Sequence, residues 1–253
     1  QRAVSTLAAR SRAWYARALK LVSILGHKPY RRALRFGVAA STEHAHTPLS
    51  HDYATVLDIG ANRGQFALLA TRRFPRARII CVEPLDGPRT TLERVLSDRG
   101  RVEVIAAAVA ASAGESHMFV SRADDSSSLL APTKLQTSTF PGTDVVDEVS
   151  LRTERLDALI DGDGLARPVL LKIDVQGGEL DVLVGAGSLL DKIDTILVEC
   201  SFVELYAGQP LADEVVRFLH GCGFALTSVA TPYVDGSGQV VQADFVFARS
   251  AHV

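Results

Sequence analysis

A chain of 253 residues, 47% hydrophobic and 22% charged, holds enough apolar material for a full core in one or two domains, and it excludes disordered, collagen-like and coiled-coil proteins. Its 27 Lys plus Arg against 29 Asp plus Glu leave a net charge of −2, which argues against a nucleic-acid partner held by global charge. Cys81, Cys200 and Cys222 match no zinc or redox spacing, so reduced thiols and no structural disulfide are expected.

Residues 1–40 read as helical, with Val4, Leu7, Trp14, Ala18, Leu21 and Leu25 recurring at spacings near three and four. Gly26 and Pro29 interrupt the pattern, and a short second helix is predicted from Tyr30 to Phe36. Nine basic residues from Arg2 to Arg35 precede the first acid, Glu43. A helical cap with a solvated basic face is the preferred reading, and contact with anionic lipid is the second. No apolar run approaches the roughly 18 residues that span a bilayer, so a cytoplasmic protein is expected, at most peripheral at the inner membrane face. The first residue is Gln1 rather than Met, so a native start upstream and a removed targeting segment are among the expectations. His44, His46 and His51 precede the first strand and are read as a polar linker rather than a metal set.

From Thr55 onward, short Val/Ile/Leu runs alternate with amphipathic stretches, the pattern of a parallel sheet with crossover helices. Strands are predicted at 56–59, 78–82, 102–109, 169–174 and 195–198, with helices at 64–73, 89–96, 179–190 and 213–221. The chain closes with strand-like runs at 224–229 and 243–248 around a turn rich in Gly, Pro and Asp, hence a terminal antiparallel hairpin. The expected fold is α/β, mostly parallel, with an N-terminal helical cap and linker over 1–50. The main domain covers 51–253, with an insertion at about 112–150 that has strands at 117–121 and 145–151 and no core of its own.

Chemistry concentrates at the strand ends. Val56-Leu57-Asp58-Ile59-Gly60-Ala61-Asn62-Arg63-Gly64-Gln65-Phe66 carries an apolar strand through a glycine turn into a helix. The spacing Gly60-x-x-x-Gly64 is not the dinucleotide G-x-G-x-x-G. Asp58 would repel a pyrophosphate and attract an ammonium group. S-adenosylmethionine carries an ammonium, a sulfonium and a carboxylate that helix N-terminal amides can hold. Val82-Glu83-Pro84 ends the second strand, where an acid accepts hydrogen bonds from ribose hydroxyls. Alternation puts Lys172 and Asp174 on one face of the later strand, and Glu199 follows at the next strand end.

These segments, LDIGANRGQF, VEP, LLKIDVQGGELDVLVGA and ILVEC, resemble the FkbM family of S-adenosylmethionine-dependent methyltransferases over roughly 54–249. The resemblance implies a Rossmann sheet of the class I methyltransferase type and O-methylation of a sugar, glycolipid or polyketide hydroxyl. The chain departs from the family pattern at Gln176, where an acid is usual, and at Gly178, where Ala is usual. Expected cofactor contacts are Asp58, Gly60, Ala61, Asn62, Gly64, Gln65, Phe66, Glu83, Pro84, Ala107, Ala108 and Asp174. Asp174, Glu199 and Lys172 are the catalytic candidates, and Ser126, Ser127, Ser128, Glu179 and Tyr206 the acceptor contacts. The expected partner is a small-molecule or glycolipid acceptor. Mg²⁺ held by the carboxylates is the rival to a side-chain base. A nicotinamide oxidoreductase and a non-catalytic cofactor-binding protein are the alternatives, disfavoured by the missing glycine motif and by the retained acids.

Overall fold

The computed structural model describes residues 26–49 and 52–250. The proposed helix over Val4 to Leu25 lies outside the described residues, as do His51 and the basic residues before Lys28. The helices are α1 (Lys28–Leu34), α2 (Gln65–Arg73), α3 (Asp86–Leu96), α4 (Lys134–Thr139), α5 (Leu156–Leu159), α6 (Glu179–Ala186) and α7 (Ala212–Gly221). The strands are β1 (Thr55–Ile59), β2 (Arg78–Val82), β3 (Val102–Ile105), β4 (Ala108–Val109), β5 (Gly114–Ser121), β6 (Val145–Glu154), β7 (Val169–Ile173), β8 (Thr195–Ser201), β9 (Phe224–Val234) and β10 (Val240–Arg249).

Seven strands form the main sheet in the order β3-β2-β1-β7-β8-β10-β9. The first five are parallel, and β10 runs antiparallel to both β8 and β9. Every residue of β1 and β7 is buried, because apolar side chains alternate onto two covered faces. Leu57, Ile59, Leu171 and Ile173 join one cluster with Val182 and Leu183 of α6. Val56 and Leu170 join the other with Phe66 and Leu68 of α2 and Leu92 of α3. The order reverses between β1 and β7, so their carboxyl ends open the crevice in which an open α/β sheet binds its ligand.

Two predicted elements differ. The run 102–109 is two strands, since β3 stays in the main sheet while β4 pairs with β6 in a separate sheet ordered β4-β6-β5. The helix predicted to reach Leu190 is α-helical only to Ala186 and continues as a 3-10 turn through Lys192. Residues 26–49 pack on the main domain, where Tyr30, Ala33, Val38 and Ala40 are buried in the same cluster as Val56 and Phe66. The insertion leans on the body through Leu130 and Phe140, which pack against Leu205, Tyr206 and Val241. All three cysteines are unbridged.

Candidate active site

The turn after β1 is held from within. Gly60 has φ +74°, and a Cβ there would lie 1.9 Å from the Asp174 carbonyl oxygen. The glycine is therefore required by the close approach of the β1 and β7 ends as well as by the turn. The amides of Gly60 and Ala61 donate to the Val82 carbonyl, that of Gly64 donates to Ala61, and that of Arg63 donates to Asn62 Oδ1. Asn62 N donates to Glu83 Oε2 at 2.9 Å, and Leu85 N donates to Glu83 Oε1 at 2.8 Å. All five amides of residues 60–64 are thus taken by protein acceptors. Gly64, with φ +88°, would place a Cβ 3.2 Å from Leu92 of α3; it serves helix packing and does not line the cavity. Burial raises Glu83 to about 7 even though both backbone hydrogen bonds lower it.

Asp58 and Lys172 also correct the sequence reading. Asp58 is fully buried, and its Oδ1 lies 3.2 Å from Lys172 Nζ. It does not line the cavity, so its charge is matched inside the protein and is not offered to a ligand ammonium. Lys172 Nζ also lies 3.4 Å from Asp174 Oδ2 and 5.8 Å from the Phe66 ring centre. Burial by itself would lower this ammonium, but Asp58 and Asp174 outweigh it and hold Lys172 above its ordinary value. A lysine kept charged in this way orients carboxylates and cannot take a proton.

Beyond β7, Gln176 adopts φ +57° and bridges the two strand-end acids. Its Nε2 donates to Asp174 Oδ1 at 2.8 Å and to Glu199 Oε2 at 3.2 Å. Gln242 Nε2 donates to the other Glu199 oxygen at 2.8 Å. Burial, then the carboxylates of Asp174, Glu179 and Asp244, push Glu199 well above its ordinary value. An amide thus stands between the carboxylates that a cation would need to bridge. Among the described residues no group of three or more His, Cys, Asp or Glu is arranged to hold a metal ion.

Several expected acceptor contacts serve the scaffold instead. Glu179 is buried and accepts from the Val175 and Gly177 amides at 3.1 Å, which fixes the loop into α6. Tyr206 is buried, with its hydroxyl 3.0 Å from Gln176 Oε1 and 3.1 Å from the Ser126 carbonyl. Ser128 Oγ donates to the Gln176 carbonyl at 2.6 Å. Of the three serines only Ser127 lines the cavity.

The cavity has a volume of about 590 Å³. One part is built by Gly60, Ala61, Asn62, Gln65, Phe66, Glu83, Pro84, Ala107 and Ala108, joined by Leu85, Met118, Asp124, Asp125 and Leu129. The other is built by Gly37, Ala39, Ser41, Glu43 and His44 before β1 and by Thr231, Tyr233, Gln242 and Asp244 of the hairpin; Lys172, Asp174, Gln176 and Glu199 also line the cavity. Sequence reasoning missed this second wall. An available signal was Asp244, an acid inside the apolar run Ala243-Asp244-Phe245-Val246-Phe247.

Comparison with known proteins places these residues in a family context. The FkbM methyltransferase domain matches residues 58–226. The 2-O-methyltransferase NoeI of Sinorhizobium fredii is 29% identical over 160 residues, covering 61% of this chain and 66% of NoeI, just under two thirds of its length. Methyltransferase sdnD of Sordaria araneosa is 29% identical over 195 residues, covering 68% of this chain and 74% of its own. Among solved structures, a precorrin-6y C5,15-methyltransferase from Geobacter metallireducens aligns with a TM-score of 0.43 and 15% identity, over 83% of this chain and 86% of that one.

Proposed function

The chain belongs to the FkbM methyltransferase family, and from that premise we propose that it transfers a methyl group from S-adenosylmethionine to a hydroxyl of a small polyhydroxylated acceptor, a sugar of a glycolipid or polysaccharide before a polyketide. The observation that carries this reading is Glu83, buried at a strand end, lining the cavity, with one backbone amide on each oxygen. Its remaining lone pairs suit a pair of neighbouring ribose hydroxyls. Leu85, Ala107, Ala108 and Met118 supply apolar wall for a purine. Gln65 Oε1 is buried on the same wall without a hydrogen-bond partner, an acceptor suited to the cofactor's ammonium group. NoeI is by name an O-methyltransferase, which supports oxygen as the receiving atom.

The cofactor supplies a methyl carbon already activated by its sulfonium, so the protein's task is alignment, water exclusion and management of one proton. Lys172 and Gln176 hold Asp174 on the cavity wall, where it can accept a hydrogen bond from the incoming hydroxyl. The ordered amide between Asp174 and Glu199 favours a metal-free reaction over Mg²⁺, and EDTA is expected to leave activity unchanged. Titration calorimetry with S-adenosylhomocysteine tests the cofactor. Glu83→Ala removes hydrogen bonds to a charged group worth roughly 1.5–3 kcal/mol each, hence at least about tenfold in affinity. Binding of NADH in place of S-adenosylhomocysteine would overturn the reading.

A further inference from the structure

Helix α1 has two unlike faces. Tyr30 and Ala33 turn inward to the cluster around Val56 and Phe66, while helical spacing carries Lys28, Arg31, Arg32 and Arg35 onto the opposite side. Arg72 of α2 adds a cation nearby, its guanidinium 5.9 Å from the Tyr30 ring centre. An acid, Asp98, meets this side: Arg32 reaches it at 2.9 Å and Arg99 at 3.4 Å. The helix ends in a turn at Gly37, which has φ +73°. The Gly37 amide donates to the Leu34 carbonyl at 3.0 Å and the Val38 amide to the Ala33 carbonyl at 3.1 Å. That turn buries Val38 but leaves Leu34 and Phe36 39% and 38% exposed on either side of Arg35. Neither apolar residue lines the cavity, yet the next residue, Gly37, does, followed by Ala39 and Ser41.

We propose that α1 and Phe36 dock the protein on an anionic lipid bilayer. Leu34 and Phe36 enter the boundary between headgroups and acyl chains, and Lys28 and Arg35 face the lipid phosphates. Charge complementarity selects this partner, because basic residues share one helix face on a chain whose net charge is −2. Exposed apolar side chains elsewhere have different neighbours. Val145, Val146 and Val149 of β6 stand among Asp144, Asp147 and Glu148, which an anionic surface repels.

Docking through α1 brings the cavity wall that starts at Gly37 to the bilayer. An acceptor sugar anchored in the same leaflet then reaches the cavity without leaving the membrane; this consequence rests on the O-methyltransferase reading above.

The test uses the full chain as wild type, Leu34→Ser/Phe36→Ser and Lys28→Glu/Arg35→Glu. Denaturation midpoints and S-adenosylhomocysteine affinity should match wild type in both, since the altered side chains are exposed and lie off the cavity. Wild type should co-sediment at least about tenfold better with vesicles containing phosphatidylglycerol than with phosphatidylcholine alone, and less so as salt rises. Each double variant should lose about tenfold of that binding. In a Trp14→Phe chain, Phe36→Trp should be quenched by lipids brominated on the acyl chain, which a purely electrostatic contact would not give. Equal wild-type recovery in the supernatant with both vesicles, undiminished binding by Leu34→Ser/Phe36→Ser, or no bromine quenching at position 36 overturns the docking surface. Retention on a DNA duplex in place of vesicles overturns it as well.

The kinetic arm compares the same sugar as a dialkyl glycoside in anionic vesicles and as a soluble methyl glycoside. Leu34→Ser/Phe36→Ser should lose about tenfold in kcat/KM on the first and stay within about twofold on the second; equal losses on both overturn the membrane route to the cavity. Absence of S-adenosylhomocysteine binding, or of transfer to every glycoside in a panel, by the wild type overturns the O-methyltransferase reading, while the vesicle measurements still decide the docking surface.

Discussion

Lys172 joins two strands through charge. Its ammonium sits between Asp58 inside β1 and Asp174 after β7, so truncation leaves Asp58 charged and fully buried. Lys172→Met is expected to destabilise by about 3–5 kcal/mol in chemical denaturation, the range for removing one partner of a buried pair; a loss below about 1 kcal/mol would mean that Asp58 is already neutral. Glu83 supplies a pH-dependent contrast. Burial lifts it from an ordinary 4.5 to about 7, so between those values the folded chain binds the proton that the unfolded chain releases. Its contribution is complete below about 4.5 and lost as pH rises through 7. Relative to wild type, Glu83→Gln should therefore gain stability on going from pH 5 to pH 8, as read by denaturation midpoints. An unchanged difference would place the Glu83 titration outside that window. Binding runs the opposite way: the ionised carboxylate accepts ribose hydroxyls better, so wild-type affinity for S-adenosylhomocysteine should rise over the same interval.

The element scale shows why two glycines of one motif are not equivalent. Both Gly60 and Gly64 have positive φ, which costs a residue with a Cβ roughly 1–2 kcal/mol. At Gly60 the added Cβ would also meet a backbone carbonyl at 1.9 Å, whereas at Gly64 it would meet the Leu92 side chain at 3.2 Å. Gly60→Ala must displace β1 from β7 and should cost more than about 3 kcal/mol, clearly more than Gly64→Ala; equal urea midpoints would refute this difference. Most elements of the main sheet were legible because buried parallel strands appear as short Val/Ile/Leu runs. The break between β3 and β4 was not, since Ala106 and Ala107 carry no turn signal and only pairing with β6 diverts the chain. Asp58 was misread for a related reason: alternation assigns a face but does not say that Lys172 of the adjacent strand already fills it.

At the scale of the whole molecule, the segment before β1 is part of both core and cavity. Deletion of residues 1–25 should preserve S-adenosylhomocysteine binding, whereas deletion of 1–40 removes the buried Tyr30, Ala33, Val38 and Ala40 and should give an aggregating or much less stable chain. No described helix is long and apolar enough to cross a membrane. Peripheral contact with an anionic leaflet is a proposal resting on the nine basic residues before Glu43, of which Arg32 is engaged with Asp98 at 2.9 Å. Salt-sensitive co-sedimentation with anionic vesicles, lost in the 1–25 deletion, would support it; equal recovery in the supernatant with and without anionic lipid would refute it. The insertion is clasped to the turn after β1 by Arg63, whose Nε donates to Asp124 at 2.6 Å.

The sequence by itself determined the α/β class, the terminal antiparallel pair, the family and the place of Glu83 at the end of β2, because each is written in a contiguous run of residues whose period or spacing has one structural meaning. Only the tertiary structure decided which acids line the cavity and which are paired inside the protein. It also brought His44 to Asp244 across 200 positions of chain and turned Tyr206 and Glu179 inward. Those outcomes depend on side chains from different strands competing for the same small volume, and no local pattern records that competition.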